Sequence, residues 1–164
     1  MISKSLITPC IVLLLACKTL SAQTTKADTT QIPRAYWIAG GLGGSTQGVE
    51  IMGNANAELD HNWLITGTAQ IESGVFGGGR EVEQFNLMGG KIHKWSRSFF
   101  SYSAGLSLVY VDKITVGIPV LFQIYGVAGQ FIGIGINACA NLNPTTPTAG
   151  LSLNIALGRI ATHK

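Results

Sequence analysis

Along residues 149–158 the side chains alternate at every step. Ala149, Leu151, Leu153, Ile155 and Leu157 fall on one face, and Gly150, Ser152, Asn154, Ala156 and Gly158 on the other. Successive side chains of a strand point to opposite faces of a sheet, so a period of two specifies a two-faced β-strand. Nearly every segment after residue 35 shows the same pattern. The polar face decides what kind of sheet this is. A soluble sheet shows water Lys, Glu and Arg, whereas this face carries Gly, Ser, Asn, Thr and a few Glu. Small, mostly uncharged side chains suit the inside of a narrow barrel whose apolar side meets lipid.

Composition agrees with that reading. The chain has 164 residues, enough to bury a core without disulfides or metals. Charged residues make up 12%, about half the ~25% usual in soluble domains. Beyond the first 22 residues no stretch approaches the ~20 apolar residues of a membrane helix. A hydrophobic chain of this kind can cross a bilayer only as a closed barrel. The 21 glycines are scattered rather than periodic, which excludes collagen and fits a crowded interior.

Residues 1–22 have the form of an export signal: Lys4, an apolar stretch Leu6–Ala16, and a small-residue region ending at Ala22. Cleavage there is the preferred expectation. Leu14-Leu15-Ala16-Cys17 offers a rival, a lipobox that would make Cys17 a lipidated N-terminus. Loss of the signal removes Cys10 and Cys17 and leaves Cys139 alone, a small strand residue with no disulfide partner and no zinc spacing. It also removes Lys4 and Lys18, two of the charges behind the formal +3. No basic stripe interleaved with aromatics remains, so nucleic acid is not an expected partner.

Residues 23–34 form a polar lead-in, and residues 35–160 a single β-barrel domain. Eight strands are expected, at 35–44, 48–59, 63–73, 82–93, 98–111, 114–125, 131–142 and 149–159. Each is close to the ~9–11 residues with which a tilted strand crosses a bilayer. The outward sets, such as Ile114, Val116, Ile118, Val120, Phe122 and Ile124, carry no charge. The exception is Lys91 on the fourth strand, near enough to its end to snorkel. With the N-terminus on the periplasmic side, Tyr36, Trp63, Phe100, Tyr125 and Phe131 fall near one rim, with Trp95 in a turn there. Such aromatic girdles recur in membrane barrels. Arg34, Lys94, Arg97 and Arg159 fall at the same end, and the opposite loops, 45–47, 74–81, 112–113 and 143–148, are short. Pro119 cannot donate to a ladder. It should lie opposite Gly105, at a bulge or a local widening.

The run Val116-Gly117-Ile118-Pro119-Val120-Leu121-Phe122-Gln123-Ile124-Tyr125 resembles the "I-P-L-L-L-x-Y" strand of small bacterial outer-membrane β-barrel families. The glycine-rich Phe131–Ile136 strand follows as it does in them. The ending from Asn141 to Ile155 is similar to barrel proteins of Bacteroidetes-type bacteria. This resemblance implies a barrel fold and an outer-membrane location, and it carries no catalytic residue.

One chemical constellation emerges from the register. Keeping Leu59 and Trp63 on one face requires a three-residue turn, Asp60-His61-Asn62. Counting back pairs Ile51 with Ile71 outside, Asn54 with Thr68 inside, and Glu50 directly opposite Glu72 inside. Facing carboxylates repel, so one must hold a proton or a cation must sit between them. Arg80, Lys113 or a metal ion are the candidates, and a lumenal plug network neutralised by Arg80 is preferred to an ion site or to acid–base catalysis. His61, His93 and His163 are too dispersed for a shared metal site. His93 has Ser96 and Ser98 nearby but no orienting acid. Gly40-Gly41-Leu42-Gly43-Gly44 and Gly77-Gly78-Gly79 lack the Lys-Ser/Thr of a phosphate loop.

The sequence thus predicts an eight-stranded antiparallel up-and-down transmembrane β-barrel, exported to the cell outer membrane, monomeric, with outer-membrane lipid as its partner. Its expected role is non-enzymatic, structural or interactive, with a lumen largely filled by side chains and no cofactor. A lipocalin-like small-molecule binding barrel, apolar face inward, is the alternative. A lipid-modifying outer-membrane enzyme is third.

Overall fold

The computed structural model describes residues 35–74 and 81–160. The expected signal at 1–22, Cys17, the lead-in, Gly77–Gly79, Arg80 and His163 lie outside them.

Eight strands follow one another without an intervening domain: β1 (Ala35–Ser45), β2 (Gly48–Glu58), β3 (Trp63–Ser73), β4 (Val82–Lys94), β5 (Ser98–Tyr110), β6 (Ile114–Ala128), β7 (Ile132–Leu142) and β8 (Thr148–Arg159). Each pairs antiparallel with the next, and β8 returns to β1 from Tyr36↔Arg159 to Ser45↔Gly150. The chain is therefore a closed, up-and-down, eight-stranded barrel. Even strand number puts the first and last strand ends at one rim, here the terminal rim, and the hairpin turns β1–β2, β3–β4, β5–β6 and β7–β8 at the other, the loop rim.

The alternation seen in sequence sets the two faces, with their polarity as anticipated. Ile38, Leu42, Ile51, Leu87, Leu106, Ile134, Leu153 and Ile155 all stand exposed outside. Gln70, Gln84, Asn86, Ser101, Gln123, Asn137 and Asn154 are buried inside. The lipocalin-like arrangement is thereby corrected: its apolar face would point inward, and here it points out.

The turn between β2 and β3 is the three-residue Asp60–Asn62, with His61 and Asn62 both at φ 59. Asn and His tolerate this left-handed region better than most side chains, which lets the chain reverse without glycine. Glycine supplies the same freedom at Gly129 (φ 71), in the turn joining β6 to β7. Strand β6 runs to Ala128, three residues beyond the span expected, because its pairing with β7 continues through Ala128↔Ile132.

Pro119 is accommodated by widening rather than by a bulge. The β5–β6 register is the same on both sides, Ala104↔Val120 and Ser107↔Gly117, but the positions between make no pairs. Pro119 faces Gly105 across this gap and keeps its partner Asn141 on β7. The missing N–H thus costs one stretch of one ladder.

Near the terminal rim the interior is apolar. Trp37, Leu64, Ile92, Phe99, Tyr125, Ala156 and Ile160 form one buried cluster. The Trp37 and Phe99 rings lie 5.1 Å apart, tilted by 59°, and Phe99 stacks on Tyr125 at 5.1 Å. Offset and tilted arrangements of this kind suit the ring quadrupoles. Tyr125, expected in the outer girdle, is turned wholly inward, because its odd position on β6 shares the face of Leu121 and Gln123. Gly135 makes room for it: a Cβ there would collide with the Tyr125 ring. The remaining girdle residues Tyr36, Trp63, Trp95 and Phe131 are exposed at this rim, and Phe100 is half-exposed.

Removing the largest plug residue should leave a cavity. Trp37→Ala is expected to cost about 3–5 kcal/mol, read as a fall in the urea midpoint of the folded barrel. An unchanged midpoint would mean that the aromatic cluster does not hold this end together.

Candidate functional site

From the middle of the lumen to the loop rim, side chains from six strands meet around Glu50 and Glu72. Strands β2 and β3 bring the two carboxylates opposite one another, since Glu50↔Glu72 belongs to the same register as Ile51↔Ile71 and Asn54↔Thr68. Both glutamates are fully buried.

Glu72 is held by amides. Its Oε1 accepts hydrogen bonds from Gln70 Nε2 at 2.8 Å and from Gln84 Nε2 at 2.7 Å. Gln84 also donates to Thr148 Oγ1 at 2.8 Å and accepts from Asn141 Nδ2 at 2.6 Å. Asn141 in turn donates to Ser107 Oγ at 2.7 Å. One continuous network therefore ties β3, β4, β5, β7 and β8 together across the lumen. Carboxylate acceptors strengthen such bonds, and in the low dielectric of the interior each bond polarises the next. Among the described residues Glu72 Oε2 and Asn141 Oδ1 are buried without a hydrogen-bond partner, so the network is only partly satisfied.

Glu50 meets a different neighbour. The Cys139 thiol on β7 lies 3.5 Å from its Oε2, within reach of donating, and Gln70 Nε2 lies 3.6 Å from the same sulfur. Cys139 is thus more than the small strand residue read from sequence. Inward parity on β7 was the only signal for it. Space for the carboxylate comes from Gly150 on β8, where an added Cβ would occupy the position of Glu50 Oε2.

Of the candidates for a cation between the glutamates, Lys113 is exposed in the β5–β6 turn, which removes it from the alternatives. The turn places it at the rim, while the glutamates lie within the wall. Arg80 lies outside the described residues. A buried ion pair does exist, at the other end: Lys94 Nζ lies 2.5 Å from Glu58 Oε1, with Glu58 buried and Lys94 mostly so. The sequence puts Lys94 among the cations of this rim without saying which way it turns, and no motif marks Glu58. The even-numbered parity of β4 that carries Ile92 inward carries Lys94 with it.

Second, smaller networks line the same wall. Asn56 donates to Asn54 and accepts from Thr66, and Asn86 donates to Thr68. Between them an interior cavity of about 10 Å³ remains, bordered by Met52, Met88, Gln84 and Asn141 among others. It has room for about one water. Among the described residues no three His, Cys, Asp or Glu are grouped as a metal site. His61 sits in the β2–β3 turn, and His93 faces outward, stacked on Tyr102 at 5.9 Å and Phe100 at 6.4 Å.

At the loop rim, Asn143 fixes the 143–147 connection. Its Oδ1 accepts from the backbone N–H groups of Thr145 and Thr146, at 2.9 and 3.1 Å, and its Nδ2 donates to Thr115 Oγ1 at 2.9 Å. Among the described residues the arrangement can brace the wall across the lumen.

No protein-family model matches the sequence, and no curated protein matches it. Solved structures do match in shape. The N-terminal β-barrel domain of Pseudomonas aeruginosa OprF superposes with a TM-score of 0.64 at 8% identity, over 77% of this chain and 98% of that one. A de novo designed transmembrane β-barrel gives 0.56 at 12% identity, over 79% and 99%. Neisserial surface protein A gives 0.50 at 10% identity, over 75% and 94%. The shared feature is the small eight-stranded barrel fold.

Gln84 is the hub of the network, so Gln84→Leu should strand donors and acceptors on Glu72, Thr148 and Asn141. A loss of about 1–3 kcal/mol is expected in equilibrium unfolding, with the barrel still formed at low denaturant. A neutral substitution would show that these bonds do not brace the wall.

Proposed function

We propose that this chain is an outer-membrane β-barrel protein whose role is non-enzymatic, structural or interactive, exported through the signal at 1–22. One observation carries the reading: an apolar wall outside and a filled polar lumen within. Twenty-eight large apolar side chains among the described residues stand exposed. Soluble monomers seldom expose contiguous apolar patches beyond a few hundred Å². A bilayer removes that cost, and closure of the sheet leaves no strand edge in lipid. The shape it shares with outer-membrane and designed transmembrane barrels supports the same reading, as does the likeness of residues 114–158 to Bacteroidetes-type barrels. The monomer is the proposed state, with outer-membrane lipid as its partner.

Side chains roughly fill the interior of an eight-stranded barrel, and the cavity beside Met52, Met88, Gln84 and Asn141 holds about one water, which supports a closed lumen over an open pore. The Glu50–Glu72 network is better suited to bracing the wall, and the short, pinned loops to presenting a compact surface. The loop rim is the proposed contact face.

Two tests follow. Leu153 lies mid-strand on the outer face between Leu42 and Ile136. Leu153→Arg should destabilise the lipid-folded barrel by about 2–4 kcal/mol, measured by reversible unfolding in vesicles; a soluble barrel would be indifferent to it or improved. In planar bilayers the protein and its Glu50→Gln/Glu72→Gln variant should both stay at baseline conductance, while the variant's thermal midpoint shifts. Conductance lost with unchanged stability would assign the carboxylates to transport.

A further inference from the structure

The outer wall is not evenly clad. At the terminal rim, β6 presents Gly126 and Ala128 outward, directly beside Ile134 and Ile132 of β7. A strand end that presents nothing outward larger than a methyl group, next to one with two exposed isoleucines, creates a step. The result is an open groove of about 300 Å³, and Arg97 of the β4–β5 turn lines it too. The Arg97 carbonyl accepts from Val127 N–H at 2.8 Å, which pins that residue to the groove. Its side chain is exposed and makes no ion pair among the described residues.

The groove is not a requirement of the fold. A Cβ at Gly126 would meet nothing closer than Ile134 O at 3.8 Å, ordinary van der Waals contact. Gly126 also lacks the positive φ that would demand glycine. An apolar trough ending beside an exposed guanidinium, at the rim where Trp95 and Phe131 are exposed, has the polarity of one amphiphile. Guanidinium binds phosphate through paired N–H donors, and the aliphatic walls accept an acyl chain.

We propose that this groove is a seat for a single anionic phospholipid, its phosphate on Arg97 and an acyl chain along Gly126 and Ala128 against Ile132 and Ile134. The proposal rests on the membrane reading above. It adds a specific site to a surface otherwise covered by exchanging lipid.

The test uses the full chain folded in detergent micelles, titrated with dimyristoyl phosphatidylglycerol and followed by native mass spectrometry. One lipid should remain bound after detergent is stripped. Arg97→Gln and Gly126→Leu should each weaken retention about tenfold or more, the size expected for losing a charged hydrogen bond or a filled trough. Gly89→Leu is the control, on the outer face of β4 with nothing near its Cβ position, and should retain lipid as the parent does. Glycerol phosphate without acyl chains should not compete. Retention unaffected by both groove variants, equal loss in the Gly89 control, or full competition by glycerol phosphate would overturn the site. Arg97 lies in a turn, so its variant tests the site even if Gly126→Leu folds poorly. Flotation with phosphatidylglycerol vesicles separates the two readings. A chain that floats but keeps no lipid sinks this proposal alone, and one that does not float sinks both.

Discussion

With β8 hydrogen-bonded back onto β1 through ten residue pairs, the sheet has no edge, and the strands' backbone groups are consumed by their neighbours. Every other property of the molecule depends on that closure. An eight-stranded ring encloses a space only wide enough for side chains, so whatever points inward must fit against whatever points inward from across the ring. Large and small therefore alternate around the wall: Gly135 yields to the Tyr125 ring, Gly150 to the Glu50 carboxylate and Gly117 to Asn141. Closure also explains why Pro119 is tolerable. One short unpaired stretch between β5 and β6 is held in register by continuous pairing above and below it, and by β7 on the other side.

The filled interior divides by polarity. Aromatic and aliphatic side chains close the end near the termini, with the Glu58–Lys94 ion pair at the same rim. Amides, hydroxyls and two glutamates occupy the rest, with a smaller apolar cluster of Met52, Met88 and Leu121 among them. A buried ion pair stabilises little in net terms, because desolvation offsets the attraction, but losing one partner leaves an uncompensated charge. The same asymmetry holds for the Glu72–Gln84–Asn141 chain. Both features thus act as constraints on which inward set of side chains the ring accepts, and a slip by one residue would turn them all to the outer face.

Architecture was legible in the chain because its period is local. Eight strands, the Asp60–Asn62 turn and the Glu50–Glu72 pairing follow from parity and from one hairpin of fixed length. What escaped the sequence depends on strands that are neither adjacent nor consecutive. Cys139 meets Glu50 across 89 residues, and Gln84 meets Thr148 across 64. Those contacts exist only once the ring has closed and the tilt of each strand has set its height. Tyr125 and Lys94 show a second limit: proximity to a rim does not say whether a side chain turns in or out. Parity overrode the girdle expectation for Tyr125 and turned Lys94, one of the rim cations, inward. The groove beside Arg97 arises from what is missing at Gly126 and Ala128, which no motif marks.

In the membrane reading the aliphatic wall faces lipid while the Trp37 plug does not. Acyl-chain-brominated phosphatidylcholine tests it directly, in vesicles holding a chain in which Trp63 and Trp95 are replaced by phenylalanine. A tryptophan placed at Leu153, with Trp37 also replaced by phenylalanine, should be quenched strongly by the bromolipid, and Trp37, as the sole fluorophore of the parent background, should be nearly untouched by it. Weak bromolipid quenching at position 153, together with ready quenching there by aqueous acrylamide, would put the wall in water and overturn the membrane reading.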